Sequence, residues 1–333
     1  MLCSHLQSSA KICGILVTYY PNRSVGKNIQ IAEQYLDSLV VIDNTSTSKG
    51  ESVLNNLNRK KLSCLDDIHS SMKEKGRIFL LRNNSNLGLA RSYNKGVQIA
   101  RQISADFILL LDQDSMIHPD TMKMLMESYD ELRGLKVGAI GCTNVQFNTM
   151  VSKKQGEPWG LKPKGYVELG LSQEVFLKEN SGLLVPMERF EEVGMFNESF
   201  FLDGVDYDFC LSLREHGYKV FRSKYAFISQ SAGIETKLSL IGREFKYTAR
   251  GPERTYSIME SYLMLLKFHR SMQKFLIPKF AVDFALLCFR ITFLYGEKMN
   301  HYAQMFRGLI NGLSGQNSRY HEFFNRELPN EEF

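Results

Sequence analysis

Paired cysteines are missing from this sequence. Six are present, Cys3, Cys13, Cys64, Cys142, Cys210 and Cys288, and no two stand at C-x-x-C spacing. Most lie among apolar residues, so they read as reduced core thiols of a cytoplasmic protein, not as a disulfide frame. Long apolar runs are also missing. The most membrane-like stretch, residues 280–296, is broken by Asp283 and Arg290 and is too short and charged to span a bilayer. Met1-Leu2-Cys3-Ser4-His5 has no basic n-region and opens no apolar h-region, which predicts no signal peptide. An excess of one charge is lacking too. Forty-one Lys/Arg against 36 Asp/Glu leave +5, too little to argue for nucleic acid. No internal repeat is visible, and 44% hydrophobic with 23% charged residues excludes solenoid, collagen-like and disordered readings. No G-x-G-x-x-G follows the first apolar run, where Val17-Thr18-Tyr19-Tyr20-Pro21-Asn22 stands instead, and no P-loop order occurs. A nicotinamide-dependent dehydrogenase and a P-loop enzyme are thereby disfavoured.

What is present is an α/β alternation. Apolar runs at Ile12–Val17, Leu39–Ile42, Ile78–Leu81, Phe107–Leu111, Val137–Cys142, Leu183–Val185 and Val220–Ile228 predict strands, several buried on both faces. Leu89, Tyr93, Gly96, Val97 and Ala100 recur at helical spacing, residues 120–132 repeat that pattern, and a short helix follows Asp206 to end at Gly217. These signs predict a mostly parallel central sheet flanked by helices. From Thr255 the pattern is helical. Residues 1–233 are therefore expected to form the main α/β domain, 234–313 a basic helical region and 314–333 a polar tail. Between Lys237 and Tyr320 there are 13 Lys/Arg and 5 Asp/Glu, a local +8 that suggests an anionic partner. The aromatic-basic segments 246–254 and 267–279 fit either anionic lipid head groups or a solvated face over a core. A homo-oligomer contact is the other use open to that region.

Polar residues cluster after the strands, where open α/β sheets place their ligands. Asp112 and Asp114 leave the end of a buried strand, and strand alternation would point both the same way. Two such carboxylates suit Mg²⁺ shared with a diphosphate, although a strand-end turn also favours Asp. Asp203, Asp206 and Asp208 crowd a helix start. There Asp206 reads as an N-cap and Asp208 as a dipole partner, or one carboxylate serves as a base whose pKa the helix keeps low. Asn86 is a plausible N-cap for the turn holding Gly88, and Arg91 could reach a phosphate. Asp43 ends the second strand, where it could contact a base or ribose. The long stretch 148–165 holds the lone Trp159.

In this order and spacing the segments resemble family 2 glycosyltransferases of the GT-A fold, particularly their bacterial rhamnosyltransferase-like branch. The pieces are Val17-Thr18-Tyr19-Tyr20-Pro21, Val41-Ile42-Asp43-Asn44-Thr45-Ser46, Asn86-Leu87-Gly88-Leu89-Ala90, Asp112-Gln113-Asp114-Ser115, Ser181-Gly182 and Phe201-Leu202-Asp203-Gly204-Val205-Asp206-Tyr207-Asp208. The resemblance implies inverting transfer from a nucleotide-diphosphate sugar, dTDP-L-rhamnose favoured, to a hydroxyl of a cell-surface polysaccharide or lipid-linked glycan. It implies a base and ribose pocket of Thr18, Tyr19 and Asp43, completed on the donor side by Asn86, Gly88 and Arg91. Asp112 and Asp114 would hold Mg²⁺ or Mn²⁺ with the diphosphate, Asp206 would be the general base, and Asp203, Trp159 and Ser181 would serve the acceptor or a secondary role. Arg254-Thr255-Tyr256 resembles the branch's Arg-x-Tyr-Tyr segment. The expected location is the cytoplasm, with the inner face of the membrane as a docking surface. Two departures stand out. Val205 occupies the family's usual Glu before the base, and Gln230 stands where a His often precedes a Gly after the last strand. A UDP-sugar-dependent galactofuranosyl or glucosyl transferase, or a non-catalytic sugar-binding relative, are the competing expectations.

Overall fold

The computed structural model describes residues 10–45, 51–55, 59–62, 78–83, 85–146, 165–230, 235–240, 243–248 and 250–314. Strands β1 (Ile12–Thr18), β2 (Ser38–Asp43), β3 (Arg59–Leu62), β4 (Ile78–Arg82), β5 (Phe107–Asp112), β6 (Ser115–Ile117), β7 (Val137–Gln146), β8 (Ser172–Val175), β9 (Leu183–Pro186) and β10 (Lys219–Gln230) form one sheet. Its order is β3-β4-β2-β1-β5-β9-β7-β10-β6, with β8 paired to β10. A separate antiparallel pair joins β11 (Glu235–Leu240) to β12 (Arg243–Thr248).

The sheet is parallel from β3 to β5 and again between β7 and β10. Strand β9 runs antiparallel to both β5 and β7, so the sheet, mostly parallel as expected, is a mixed one. Nothing in the four apolar residues of β9 encodes direction. Register follows side-chain alternation. Cys13, Ile15, Val40, Ile42, Ile108 and Leu110 face one core, while Ile12, Leu16, Leu39, Val41, Leu109 and Leu111 face the other. Both cores are covered, which is why these runs read as continuously apolar.

Helix α1 (Arg23–Tyr35) has Asn22 as its N-cap, whose side chain accepts from Ser24 and Val25 N–H groups. With α4 (Thr121–Glu131) it supplies the second core, through Ile29, Ala32 and Leu125. A five-residue helix α2 (Glu51–Asn55) lies between β2 and β3. On the opposite face pack α3 (Leu89–Gln102), α5 (Met187–Val193) and α6 (Val205–Glu215). Helix α3 lies so close on β1 that a Cβ at Gly96 would come within 2.5 Å of Ile15.

Helices α7 (Pro252–Phe268), α8 (Gln273–Phe293) and α9 (Lys298–Ser314) follow. They share a smaller core of Met259, Leu287, Ile291, Tyr295 and Met305, but Leu265 and Leu276 join the main core. The C-terminal helices therefore pack into the α/β body. The boundary expected near Gly233, the segment carrying Trp159, and the polar tail lie outside the described residues. Lys279, in a segment expected to face either lipid head groups or solvent, is instead buried. It hydrogen-bonds Tyr262 Oη at 3.0 Å and Asp283 at 2.5 Å, over the rings of Tyr207 and Tyr262. Cys13, Cys142 and Cys210 are buried free thiols, and Cys288 is half-buried and free. No helix among the described residues is long and apolar enough to cross a membrane.

Candidate active site

The ends of β1, β5 and β10 open onto a cleft of about 800 Å³, closed on its far side by the 201–207 turn and by α7. Its floor is built around Asp112, the last residue of β5. Asp114 lies past the strand end, in the two-residue turn before β6, so strand alternation does not govern it. Both carboxylates nonetheless line the cleft. The turn is pinned from three sides. Gln113 Oε1 accepts the Tyr19 N–H at 2.9 Å, Gln113 O accepts from Asn28 at 3.1 Å, and Ser115 Oγ meets Ser181 Oγ at 2.5 Å. Ser181 is thus buried behind the turn and does not line the cleft.

Asp112 receives weak bonds from Tyr93 Oη at 3.5 Å and Gln230 Nε2 at 3.3 Å. Gln230 Oε1 in turn accepts from Asn144 at 3.1 Å. The residue in place of the expected His therefore reaches the first carboxylate as a neutral donor. Burial first, then the charges of Asp114 and Glu179, push Asp112 up to about 7.

Asp206 is the second residue of α6, and Gly204, not Asp206, is the N-cap. Its Oδ1 accepts the Tyr207 N–H at 2.9 Å. The expectation that the helix start keeps its pKa low is overturned. Burial and the Glu179 charge push it up to about 7, because desolvation outweighs the partial charge of a helix end. Asp203 lines the cleft and is paired to Arg254 at 2.8 Å, while its carbonyl accepts from Ser261 of α7 at 2.7 Å.

The 201–204 turn sits directly on the start of α3. Leu89 N–H donates to Phe201 O at 2.6 Å, and a Cβ at Gly88 would meet that oxygen at 2.7 Å. With φ at +80°, Gly88 satisfies both the left-handed backbone and the close approach. It also serves as the N-cap of α3, while Asn86 accepts the Gly88 N–H and is not the cap. Thr18, Tyr19, Asn86 and Gly88 line the cleft. Asp43 does not: it is buried behind the wall, accepting from Thr18 Oγ1 at 3.0 Å and Thr45 Oγ1 at 2.8 Å. Arg91 points elsewhere as well. It pairs with Glu198 at 3.0 Å on the surface, so the phosphate reach expected of it is not realised.

Asn44, Arg250 and Arg254 stood in segments the sequence singled out, whereas Asn144, Glu179 and Asn180 did not. Asn44 reaches in from β2, its Oδ1 accepting from Asn83 and Ser92. Glu179, Asn180 and Asn144 form a polar wall, and both side-chain polar atoms of buried Asn180 are unpartnered among the described residues. Arg250 and Arg254 bring the cations from the start of α7. The available signal was Glu179-Asn180, two polar residues directly before the Ser181-Gly182 pair.

A divalent cation fits this donor set on one observation. Asp112, Asp114, Asp206 and Glu179 crowd one wall of the cleft, where desolvation and their mutual charges push Asp112 and Asp206 up to about 7, an excess of negative charge a cation would relieve. Among the described residues no three His, Cys, Asp or Glu side chains stand together as a complete ligand set. An Mg²⁺-type ion needs only one or two carboxylates when substrate phosphates supply the rest.

A mixed sheet whose strand ends present two such acidic turns beneath a helical wall is the GT-A architecture. Residues 22–175, a little under half of the chain, match the model of glycosyl transferase family 2. The curated dTDP-rhamnosyl transferase RfbF of Shigella flexneri is 26% identical over 217 residues, which are 64% of this chain and 66% of that protein, just short of two thirds. The crystal structure of residues 1–349 of S. aureus TarS aligns with a TM-score of 0.51 at 14% identity, over 91% of this chain and 80% of that one. That alignment concerns the fold alone. A structure of GalNAc-T7 with UDP, GalNAc and Mn²⁺ gives a TM-score of 0.49 at 11% identity, covering 78% of this chain and 48% of the other.

Proposed function

We propose that the protein transfers a sugar, L-rhamnose from dTDP-L-rhamnose, to a hydroxyl of a glycan or lipid-linked glycan, with inversion at the anomeric carbon. The observation that carries this reading is the meeting of Asp112 and Asp206 in one cleft, two half-exposed carboxylates each pushed up to about 7. Rhamnose is favoured by the likeness to RfbF. The nucleoside would lie against Thr18, Tyr19, Asn44 and Asn86, with Asp43 holding Thr18 in place. Asp112 and Asp114 would hold Mg²⁺ or Mn²⁺, which when bound neutralises charge on the leaving diphosphate.

Arg250 and Arg254 face the same space and supply fixed positive charge where the diphosphate would depart. Asp206 would accept the proton of the acceptor hydroxyl as its oxygen attacks from the face opposite the diphosphate. A carboxylate near 7 is well matched to that task, since it is largely ionised just above neutrality yet basic enough to take a proton. Asp203, paired to Arg254, orients that arginine. The test is transfer from dTDP-L-rhamnose to a glycan acceptor with and without Mn²⁺. Product of inverted configuration from wild type, absent in Asp206→Asn, supports the reading. Transfer only from UDP-sugars would keep the family and discard the donor.

A further inference from the structure

Helices α8 and α9 turn apolar side chains outward. Ile277, Phe289 and Phe293 on α8, and Phe306, Ile310 and Leu313 on α9, are between 53% and 73% exposed. Their spacing is helical: 289 and 293 share one stripe of α8 with Leu286, itself 46% exposed, and 306, 310 and 313 fall on one stripe of α9, while 277 stands on another side of α8. The fold does not need these stripes. The inward faces of the same helices already form a core around Leu287, Ile291 and Met305. Single exposed apolar residues need no explanation, but two stripes on adjoining helices do.

The charges beside them have one sign. Lys274, Arg290, Lys298 and Arg307 are exposed on these helices. Of the acids in 273–314, Asp283 is neutralised by buried Lys279, which leaves exposed Glu297. We propose that the outer face of α8 and α9 docks on an anionic lipid surface, the phenylalanines entering the head-group boundary and the cations meeting lipid phosphates. The helices would lie on the bilayer, since none described is long and apolar enough to cross it. A second copy of the chain is the poorer occupant. In a twofold contact the patch meets itself, which sets the same cations against one another. Docking would also bring the cleft to the membrane surface, because α8 and α9 pack on α7, whose Arg254, Ile258 and Tyr262 line it. The inference stands apart from the sugar-transfer reading.

The experiment is co-sedimentation of the full chain with phosphatidylcholine vesicles, with and without roughly 30% phosphatidylglycerol, at about 0.05 M and about 0.5 M salt. Binding to the anionic vesicles at low salt is expected, weakened about tenfold or more by high salt and by Arg290→Glu with Arg307→Glu. Phe289→Ser with Phe293→Ser should abolish it. Both pairs are exposed, so an unchanged melting temperature and oligomeric state will show that each variant is folded. Absence of wild-type sedimentation at low salt overturns the proposal, as does equal binding by wild type and both variants. A wild-type dimer in analytical ultracentrifugation, dissolved by the serine pair without any vesicle binding, assigns the face to a second copy instead.

Discussion

Asp206 carries the sharpest prediction at the scale of single residues. Asp206→Asn keeps the shape and the bond from Tyr207 N–H but cannot take a proton. Donor binding should persist while transfer falls about 10²–10⁴-fold. Near-normal turnover would remove Asp206 from the chemistry. The wild-type rate should rise with pH through about 7 as Asp206 ionises, and the residual rate of the variant should lack that limb. Stability should move the other way. A carboxylate raised in the folded state withdraws stability as pH climbs from its ordinary range, about 4, through about 7. Asp206→Asn should therefore raise the melting temperature of the free protein at pH 8 and leave it unchanged at pH 3.5. A melting temperature at pH 8 lower than wild type would refute the burial argument. At Asp114, replacement by Ala should weaken nucleotide binding with metal and leave metal-free binding nearly unaltered. Equal affinity with and without the side chain would argue against a cation there.

Among the elements, the turns that meet across the cleft matter more than the strands. Gly88→Ala would strain a backbone at φ +80° and drive a methyl group into Phe201. A loss of about 1–3 kcal/mol in denaturant unfolding is expected, and a loss within about 0.5 kcal/mol would show that the 201–204 turn yields freely. The junction of α6 with α7 has its own titration. Buried His269 bonds Asp208 and Glu215 at 2.9 Å each. Burial alone would lower its pKa, but the two carboxylates raise it above the usual histidine value. That pair of bonds contributes stability fully present below the ordinary histidine pKa and lost as pH rises through the folded one. His269→Gln should flatten the fall in melting temperature across that window. An unchanged slope would contradict the assignment.

Strands and cleft carboxylates were legible in the sequence for a simple reason. Buried β1, β2 and β5 are continuous apolar runs, and each ends in a polar turn that a strand-end ligand site requires. Direction and distance were not. The reversal of β9 depends on which neighbours accept it, and Arg91 could not be told from a cleft residue without seeing Glu198 beside it. Asp206 looked like an ordinary first-turn acid because two of the charges that raise it, Glu179 and Asp112, lie far away in the chain. Asn144 gave no signal, since a lone asparagine near a strand usually marks a turn.

For the whole molecule, the α/β body and the C-terminal helices act as one unit around the cleft. Helix α7 gives Leu265 to the main core, Met259 to the helical core and Arg254 to the cleft wall. The most direct measurement is a calorimetric titration of wild-type protein with dTDP, dTDP-L-rhamnose, UDP and UDP-sugars, each with and without Mn²⁺. Binding of dTDP and dTDP-L-rhamnose strengthened by Mn²⁺, and weakened as pH falls through about 7 and Asp112 protonates, is the result this account predicts. Silence across all of these nucleotides would contradict it.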